Sequence, residues 1–289
     1  MSLTGTDFYG YVVGQKINEG GFGEIYQGTS PEGELVAMKF IRADVRQEDE
    51  TARNRFIREI RTLQNVKHDY IVPIVTFGFK DNILYMVMPY IDGKDISEWL
   101  DDERRFTLKE VNDFVQCIAP ALAVGHEQNI IHRDLKPENV ITKTVDGVLH
   151  YYLIDFGLAK RPGMDTTLTM KGYKVGTPEY ISPESLKSKP VSPRSDLYSL
   201  GMMAYELLIG DLPFHEDNMY DLIMAQIMTP PPVPSELNPA VPTSIEAIIL
   251  KALAKEPEDR YDDCNTFAAA FQAAFDALNP EQQNKNYWV

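Results

Sequence analysis

Two cysteines in 289 residues, Cys117 and Cys264, are too few for a disulfide framework or a zinc site. That scarcity points to a reducing compartment. No apolar run approaches the roughly 18 residues of a membrane span. The opening stretch MSLTGTDFYG lacks the basic and apolar regions of a secretory leader, and no internal repeat is visible. Basic charge is also short. Lys and Arg number 28 against 43 Asp and Glu, a net charge of −15. An acidic body disfavours nucleic acid and anionic membrane as partners and attracts basic ones. We expect a cytosolic location, either free or as the cytosolic domain of a longer, membrane-anchored protein.

What is present changes character near Tyr90. Before it lie short β-rich runs, YVVGQKI, EIYQGT, ELVAMKFI, VPIVTFGF and NILYMVMPY, separated by turn residues such as Pro31, Gly33 and Asp81-Asn82. One helix interrupts them, with Ala52, Phe56, Ile60 and Leu63 on a common face. After it come helices. LKEVNDFVQCIAPALAVGHEQ is long, SDLYSLGMMAYELLIG is apolar nearly all round and so buried, and SIEAIILKALA is amphipathic. TFAAAFQAAFDAL carries a stripe of Phe267, Phe271, Phe275 and Leu278. The proline cluster TPPPVPSELNP reads as a loop. The expected fold class is therefore α+β, with a small β-rich lobe holding one helix and a larger, mainly helical lobe.

Polar residues gather at a few places. Gly20, Gly21 and Gly23 sit between two strands, where backbone N–H groups can approach a phosphate; a plain hairpin turn has the same look. Lys39 interrupts the apolar face of VAMKFI, unless that face is solvated. Glu59, at the edge of the helical stripe, is a candidate partner for it. In IIHRDLKPENVI, aliphatic pairs bracket His132, Arg133, Asp134, Lys136, Glu138 and Asn139. Asp134 suits proton transfer, Lys136 developing phosphate charge, and the Asn139 amide oxygen a hard cation. Asp155-Phe156-Gly157 ends an apolar strand, as a ligand position or as a β-turn.

These elements, in this order, resemble a eukaryotic-type Ser/Thr protein kinase of the bacterial kind. GTPEYISPE, SDLYSLG, GDLPF and PEDRY extend the resemblance over nearly the whole chain. It implies a protein-kinase-like bilobal fold. Residues 1–8 would be an N-terminal extension and 9–276 the kinase domain, with the N-lobe at about 9–89 and the C-lobe at about 90–276; 277–289 would be a C-terminal tail. It also implies phosphoryl transfer from ATP to Ser or Thr hydroxyls of protein substrates. Mg²⁺ would be the metal, with Mn²⁺ as the alternative, held by Asn139 and Asp155. Lys39, paired with Glu59, would hold the α- and β-phosphates, Asp134 would act on the hydroxyl, and Lys136 would face the γ-phosphate. The ATP pocket would comprise Asn18, Gly20, Gly21, Phe22, Gly23, Ile25, Ala37, Met88, Pro89, Tyr90, Ile91, Asp95 and Ile141. Thr177, Glu138 and Glu206 would contact substrate, the two glutamates favouring basic residues near the target; Glu206 could equally pair with an internal Arg.

Departures from the family pattern are few. Asn18 stands where the first loop Gly is usual, and Asn tolerates left-handed backbone. Pro89 replaces a common hinge Glu, and Ser182 a usual Ala. Glu184 is expected to pair with Arg260. Arg133 suits a phosphate on Thr166, Thr167 or Thr169, which would make autophosphorylation a means of control. The alternative is a pseudokinase scaffold, which binds nucleotide and partners without transfer.

Overall fold

The computed structural model describes residues 3–20, 23–41, 57–58, 60–80, 83–154, 156 and 178–289. The chain divides into two compact units, residues 1–92 and 93–289.

The first unit is built on an antiparallel sheet. Its strands are β1 (Asp7–Phe8), β2 (Tyr11–Gly20), β3 (Gly23–Thr29), β4 (Leu35–Ile41), β5 (Thr76–Lys80) and β6 (Ile83–Pro89), in the order β1-β2-β3-β4-β6-β5. Period-two alternation in β4 buries Val36, Met38 and Phe40 on one face. Tyr26, Val87, Tyr85, Val13 and Phe8 join them in one core. Phe8 packs 4.9 Å from the Phe40 ring and 5.1 Å from Tyr85. Residues 3–8 thus supply a strand and a core aromatic to this unit. The Lys80 ammonium donates to the Asp7 carbonyl, and the Tyr9 hydroxyl to Phe79 O at 3.3 Å. Side chains therefore bridge the two edge strands. The expected strand VPIVTFGF is shorter than its sequence pattern: it begins at Thr76, and residues 72–75 lie outside any strand. Pro73, which has no N–H to give a ladder, accounts for that. Helical residues occupy 57–58 and 60–63, with Ile60 and Leu63 buried. Ala52, Phe56 and the Asp81-Asn82 turn lie outside the described residues.

The second unit is mainly helical. Helix α1 (Ile96–Asp101) follows β7 (Lys94–Asp95), and α2 (Leu108–Glu127) is the long expected helix. Each begins with a capping box, Asp95 with Glu98 and Thr107 with Glu110. β8 (Val140–Val145) and β9 (Val148–Leu153) form a hairpin against β7. Helix α3 (Pro193–Ile209) is buried from Ser195 to Ile209, as its all-round apolarity requires. Helices α4 (Met219–Met228), α5 (Thr243–Ala252) and α6 (Cys264–Asp276) complete the frame. α2 packs on α3, α6 and β9. Helices α1 and α4 and strands β1, β7 and β8 are additions to the sequence reading. Two details correct that reading. Pro234–Leu237 is one turn of helix rather than loop, since proline is tolerated at the first helical position. Leu278 lies beyond the end of α6 at Asp276 and is half-buried.

Residues 277–289 are packed against the second unit. Tyr287 is only 1% exposed. Trp288 Nε1 donates to Leu207 O at 3.0 Å, and Val289 N to Ile209 O at 3.1 Å. The last carbonyls of a buried helix cannot reach water, and this segment supplies them with donors.

Candidate active site

The loop that opens β8 is the centre of the site. Leu135 (2% exposed) and Val140 (0%) anchor it in the core; of the aliphatic brackets only Val140 is buried, while Ile130, Ile131 and Ile141 are half-buried. Between them Pro137–Asn139 make a 3-10 turn, with Asn139 N donating to Lys136 O at 3.0 Å. Arg133 sits at φ 65°, a left-handed conformation that costs a non-glycine residue about 1–3 kcal/mol. Asp196 of α3 holds it there. Its Oδ1 accepts Arg133 N at 2.8 Å, and its Oδ2 accepts His132 N, also at 2.8 Å. His126 Nε2 lies 2.7 Å from the same Oδ2. An acceptor there requires Nε2 to carry the proton; Nδ1 is buried with no partner among the described residues. Charge-assisted bonds of this kind contribute about 1.5–3 kcal/mol each, enough to offset the strain at Arg133.

Asp134 and Asn139 face each other within this loop. Asn139 Nδ2 donates to Asp134 O at 2.6 Å and lies 3.4 Å from Asp134 Oδ2. With its nitrogen committed to Asp134, the amide turns its oxygen, a hard acceptor, the other way. That orientation fits a hard divalent cation. Lys136 Nζ is 3.6 Å from Glu138 Oε1, a half-exposed pair that stabilises little and leaves both groups open to exchange partners.

Next to the loop, the Phe156 ring lies edge-on to His132 at 5.2 Å and is 6% exposed. Gly125 of α2 makes room for it, because a Cβ there would come within 2.1 Å of the ring. Gly125→Ala is therefore expected to displace Phe156, the neighbour of Asp155, and to destabilise the protein by about 1–3 kcal/mol. Thermal unfolding checks this; an unchanged Tm would show that the ring has another place to go.

A second acidic group lies beside the loop. Glu206 of α3 is 9% exposed, and its Oε2 accepts the Tyr180 hydroxyl at 2.7 Å. That phenol, rather than an internal Arg, is its partner. Burial pushes the Glu206 carboxyl up to about 7; the Tyr180 bond opposes the rise, and Asp211, Glu138 and Glu179 add to it. Glu179 Oε2 is buried with no partner among the described residues.

In the first unit, the sheet face opposite the aromatic core carries the remaining expected residues. Ile25 pairs with Lys39, and Ala37 with Met88, so the four share that face. Ile25, Ala37 and Lys39 are half-buried, Met88 is buried, and Pro89 ends β6 exposed. Tyr90 N donates to Leu35 O at 3.4 Å, and Ile91 is half-buried. Gly20 pairs with Gly23, where a Cβ would strike Phe40 O at 2.0 Å. Close approach of strands thus demands glycine at 23 independently of any ligand. Asn18 pairs with Ile25 and keeps out of the left-handed region; its Oδ1 accepts Glu19 N at 2.6 Å. The expectation built on left-handed tolerance is corrected accordingly. In the second unit Asp95 pairs with Ile141 across β7 and β8 and caps α1, its Oδ1 accepting Glu98 N at 2.8 Å. Burial raises its carboxyl above the usual range, with Glu98 and Glu138 adding to the rise and hydrogen bonds to the Glu98 and Ser97 backbone opposing it. Gly21, Phe22, Glu59, Asp155, Thr166, Thr167, Thr169 and Thr177 lie outside the described residues.

The expected structural pair is present: Arg260 holds both oxygens of Glu184, at 2.9 and 2.8 Å. Asp196 and His126, which secure the loop, went unassigned in the sequence. The signal was available in SDLYSLG, where one carboxylate stands in an otherwise apolar helix.

The protein kinase domain model matches residues 11–273. The chain belongs to the protein kinase family. This kinase-family chain is 36% identical to the Ser/Thr-protein kinase Pkn1 of Myxococcus xanthus over 262 residues, 90% of its own length and 37% of that protein's. It is 34% identical to the Ser/Thr-protein kinase PrkC of Bacillus subtilis, covering 84% of the chain and again 37% of the relative. It therefore spans little more than a third of the length of these relatives. A crystal structure of the Mycobacterium tuberculosis PknI kinase domain superposes with a TM-score of 0.74 at 27% identity, covering 95% of this chain and 100% of that one. The bilobal α+β class is the one expected from sequence. Among the described residues, no helix is long and apolar enough to cross a membrane.

Proposed function

We propose that this chain is an ATP-dependent Ser/Thr protein kinase. The observation that carries the reading is the loop itself. Asp134, Lys136 and Asn139 are held together on a strained backbone by a buried carboxylate, Asp196, from a different helix. Strain maintained by that much structure is characteristic of reactive sites.

In the proposed reaction, the Asp134 carboxylate orients the substrate hydroxyl and takes its proton. The hydroxyl oxygen forms a bond to the γ-phosphorus as the bond to the bridging oxygen breaks, with ADP leaving. Lys136 offsets charge that develops on the transferred group. Asn139 and Asp155 would hold Mg²⁺, or Mn²⁺ in its place, whose contribution is to neutralise phosphate charge. Lys39, supported by Glu59, would hold the α- and β-phosphates. The residues proposed for the nucleotide are Asn18, Gly20, Gly21, Phe22, Gly23, Ile25, Ala37, Met88, Pro89, Tyr90 and Ile91 of the first unit and Asp95 and Ile141 of the second. Thr177, Glu138 and Glu206 would meet the substrate. The acidic trio Glu138, Glu179 and Glu206, together with a net charge of −15, favours substrates basic around the target residue. A cytosolic setting suits two buried cysteines that are not joined in a disulfide. Lys39, Asp134 and Asp155 are all in place in the sequence, which weighs against a non-transferring scaffold.

Incubation with MgATP and a basic test protein, followed by mass spectrometry, is the direct test. We expect phosphate on Ser or Thr of the test protein, and on at least one of Thr166, Thr167 and Thr169 of the chain itself. ATP binding without any incorporation would replace this reading with the scaffold.

A further inference from the structure

Gln226 of α4 is wholly buried, at 0% exposure. A primary amide is costly to bury unless its donors and acceptor are used. Here they are. Nε2 donates to the Glu179 carbonyl, and Oε1 accepts the Tyr198 hydroxyl at 2.6 Å. One side chain thereby ties the turn Pro178–Tyr180 to both α4 and α3. The main chain of Gln226 is held in turn: Lys255 Nζ donates to Gln226 O at 2.8 Å and approaches Ala225 O at 3.5 Å. These carbonyls belong to the last turn of α4, the negative end of the helix dipole, where a cation is favourable. The Lys255 ammonium also lies 4.3 Å from the centre of the Phe214 ring.

The turn held in this way adjoins the reacting groups. Asp134, Lys136, Tyr180 and Ile181 line one cleft. Tyr180 is further fixed by its bond to Glu206 and by Ser199 Oγ, which donates to Tyr180 O at 2.8 Å. Each of these ties comes from α3, except the one made by Gln226. Loss of Gln226 would remove the side-chain hydrogen bond that links the turn to α4 while the hydrogen bonds from α3 remain.

We propose that Gln226 and Lys255 are positioning residues that mount the Pro178–Tyr180 turn for docking of the protein substrate, an inference that rests on the kinase reading above. Neither residue touches the reacting atoms. Their effect runs through the turn and falls on peptide affinity rather than on phosphate chemistry.

The test uses Gln226→Met, which keeps the volume and removes both hydrogen bonds, and Lys255→Met, which keeps the apolar stem. Steady-state kinetics with a basic peptide and MgATP, and amide exchange at Ile181, are measured for each. The Ile181 amide donates to Pro178 O at 3.1 Å, so its exchange reports opening of the turn. For Gln226→Met we expect the KM for peptide to rise about tenfold, the loss typical of one buried hydrogen bond, and Ile181 exchange to accelerate. Lys255→Met should move both in the same direction by a smaller factor, about threefold. The kcat and the KM for ATP should stay within about twofold. Unchanged peptide KM with unchanged exchange overturns the proposal. So does a parallel fall in all kinetic constants that tracks Tm, since that is mere destabilisation. Should the wild-type chain transfer no phosphate, the kinase reading fails, while the exchange data still decide whether the mount exists.

Discussion

Asp134→Asn is expected to lower kcat for phosphoryl transfer by about 10²–10⁴-fold, the range for loss of a general base. The substitution is nearly isosteric. The Asp134 backbone would keep its place, because Asp196 grips the two preceding amides at 2.8 Å each and Asn139 Nδ2 reaches Asp134 O at 2.6 Å. What disappears is the carboxylate proposed to take or orient the hydroxyl proton. The KM for ATP should change far less than kcat, since none of the residues proposed to grip the nucleotide is altered. Steady-state kinetics on a basic peptide measure both constants. A kcat within tenfold of wild type would remove Asp134 from the proposed role and leave positioning and electrostatics as the source of rate.

The second large effect concerns stability. Arg260→Met should cost about 3–5 kcal/mol, because it leaves a buried carboxylate without its counter-ion. Arg260 is 3% exposed and Glu184 4%. The guanidinium is fully used: both terminal nitrogens reach Glu184, and the group also donates to Ala254, Arg194 and Lys255 carbonyls. Ser195 Oγ adds a further bond to Glu184 Oε1 at 2.6 Å. Burial alone would raise the Glu184 carboxyl; Arg260 and Ser195 outweigh it and hold it below its ordinary value of 4.5. The sign of the pH dependence follows. A depressed carboxyl contributes stability that is fully present above about pH 4.5 and is lost as pH falls through its folded value. Urea unfolding at neutral and acid pH tests both points. The double variant Glu184→Leu/Arg260→Met should recover a large part of the loss and show a flatter acid limb. A single-variant loss below about 1 kcal/mol would put the pair in the class of surface ion pairs.

Much of the site was legible because its residues are close in sequence. Asp134, Lys136 and Asn139 span six positions, and the turn Pro137–Asn139 between them brings the Asn139 amide to Asp134. The β4 alternation was legible for a similar reason, since strand periodicity assigns Met38 and Lys39 to opposite faces whatever lies beyond the strand. Helix α3 announced its burial by apolarity. Contacts across long separations were another matter. Asp196 meets His132 across 64 positions, and Gln226 meets Glu179 across 47. Nothing local to either residue names its partner. Helix α4 was missed because its apolar residues, flanked by prolines and acids, carry no clean stripe. Its start is set by Asn218, whose side chain accepts Asp221 N at 3.0 Å. Residues 277–289 looked like a loose tail because their donors serve acceptors on α3, some 80 residues earlier.

The sequence by itself determined a β-rich first part, a helical second part and the chemistry gathered in HRDLKPEN. Those are properties of composition, period and local spacing. Tertiary structure decided which buried carboxylate holds the HRDLKPEN loop, which amide holds the Pro178–Tyr180 turn, and that residues 3–8 and 277–289 belong to the packed units. Buried polar groups must find partners wherever the fold brings them, and those partners are chosen by packing rather than by nearness along the chain.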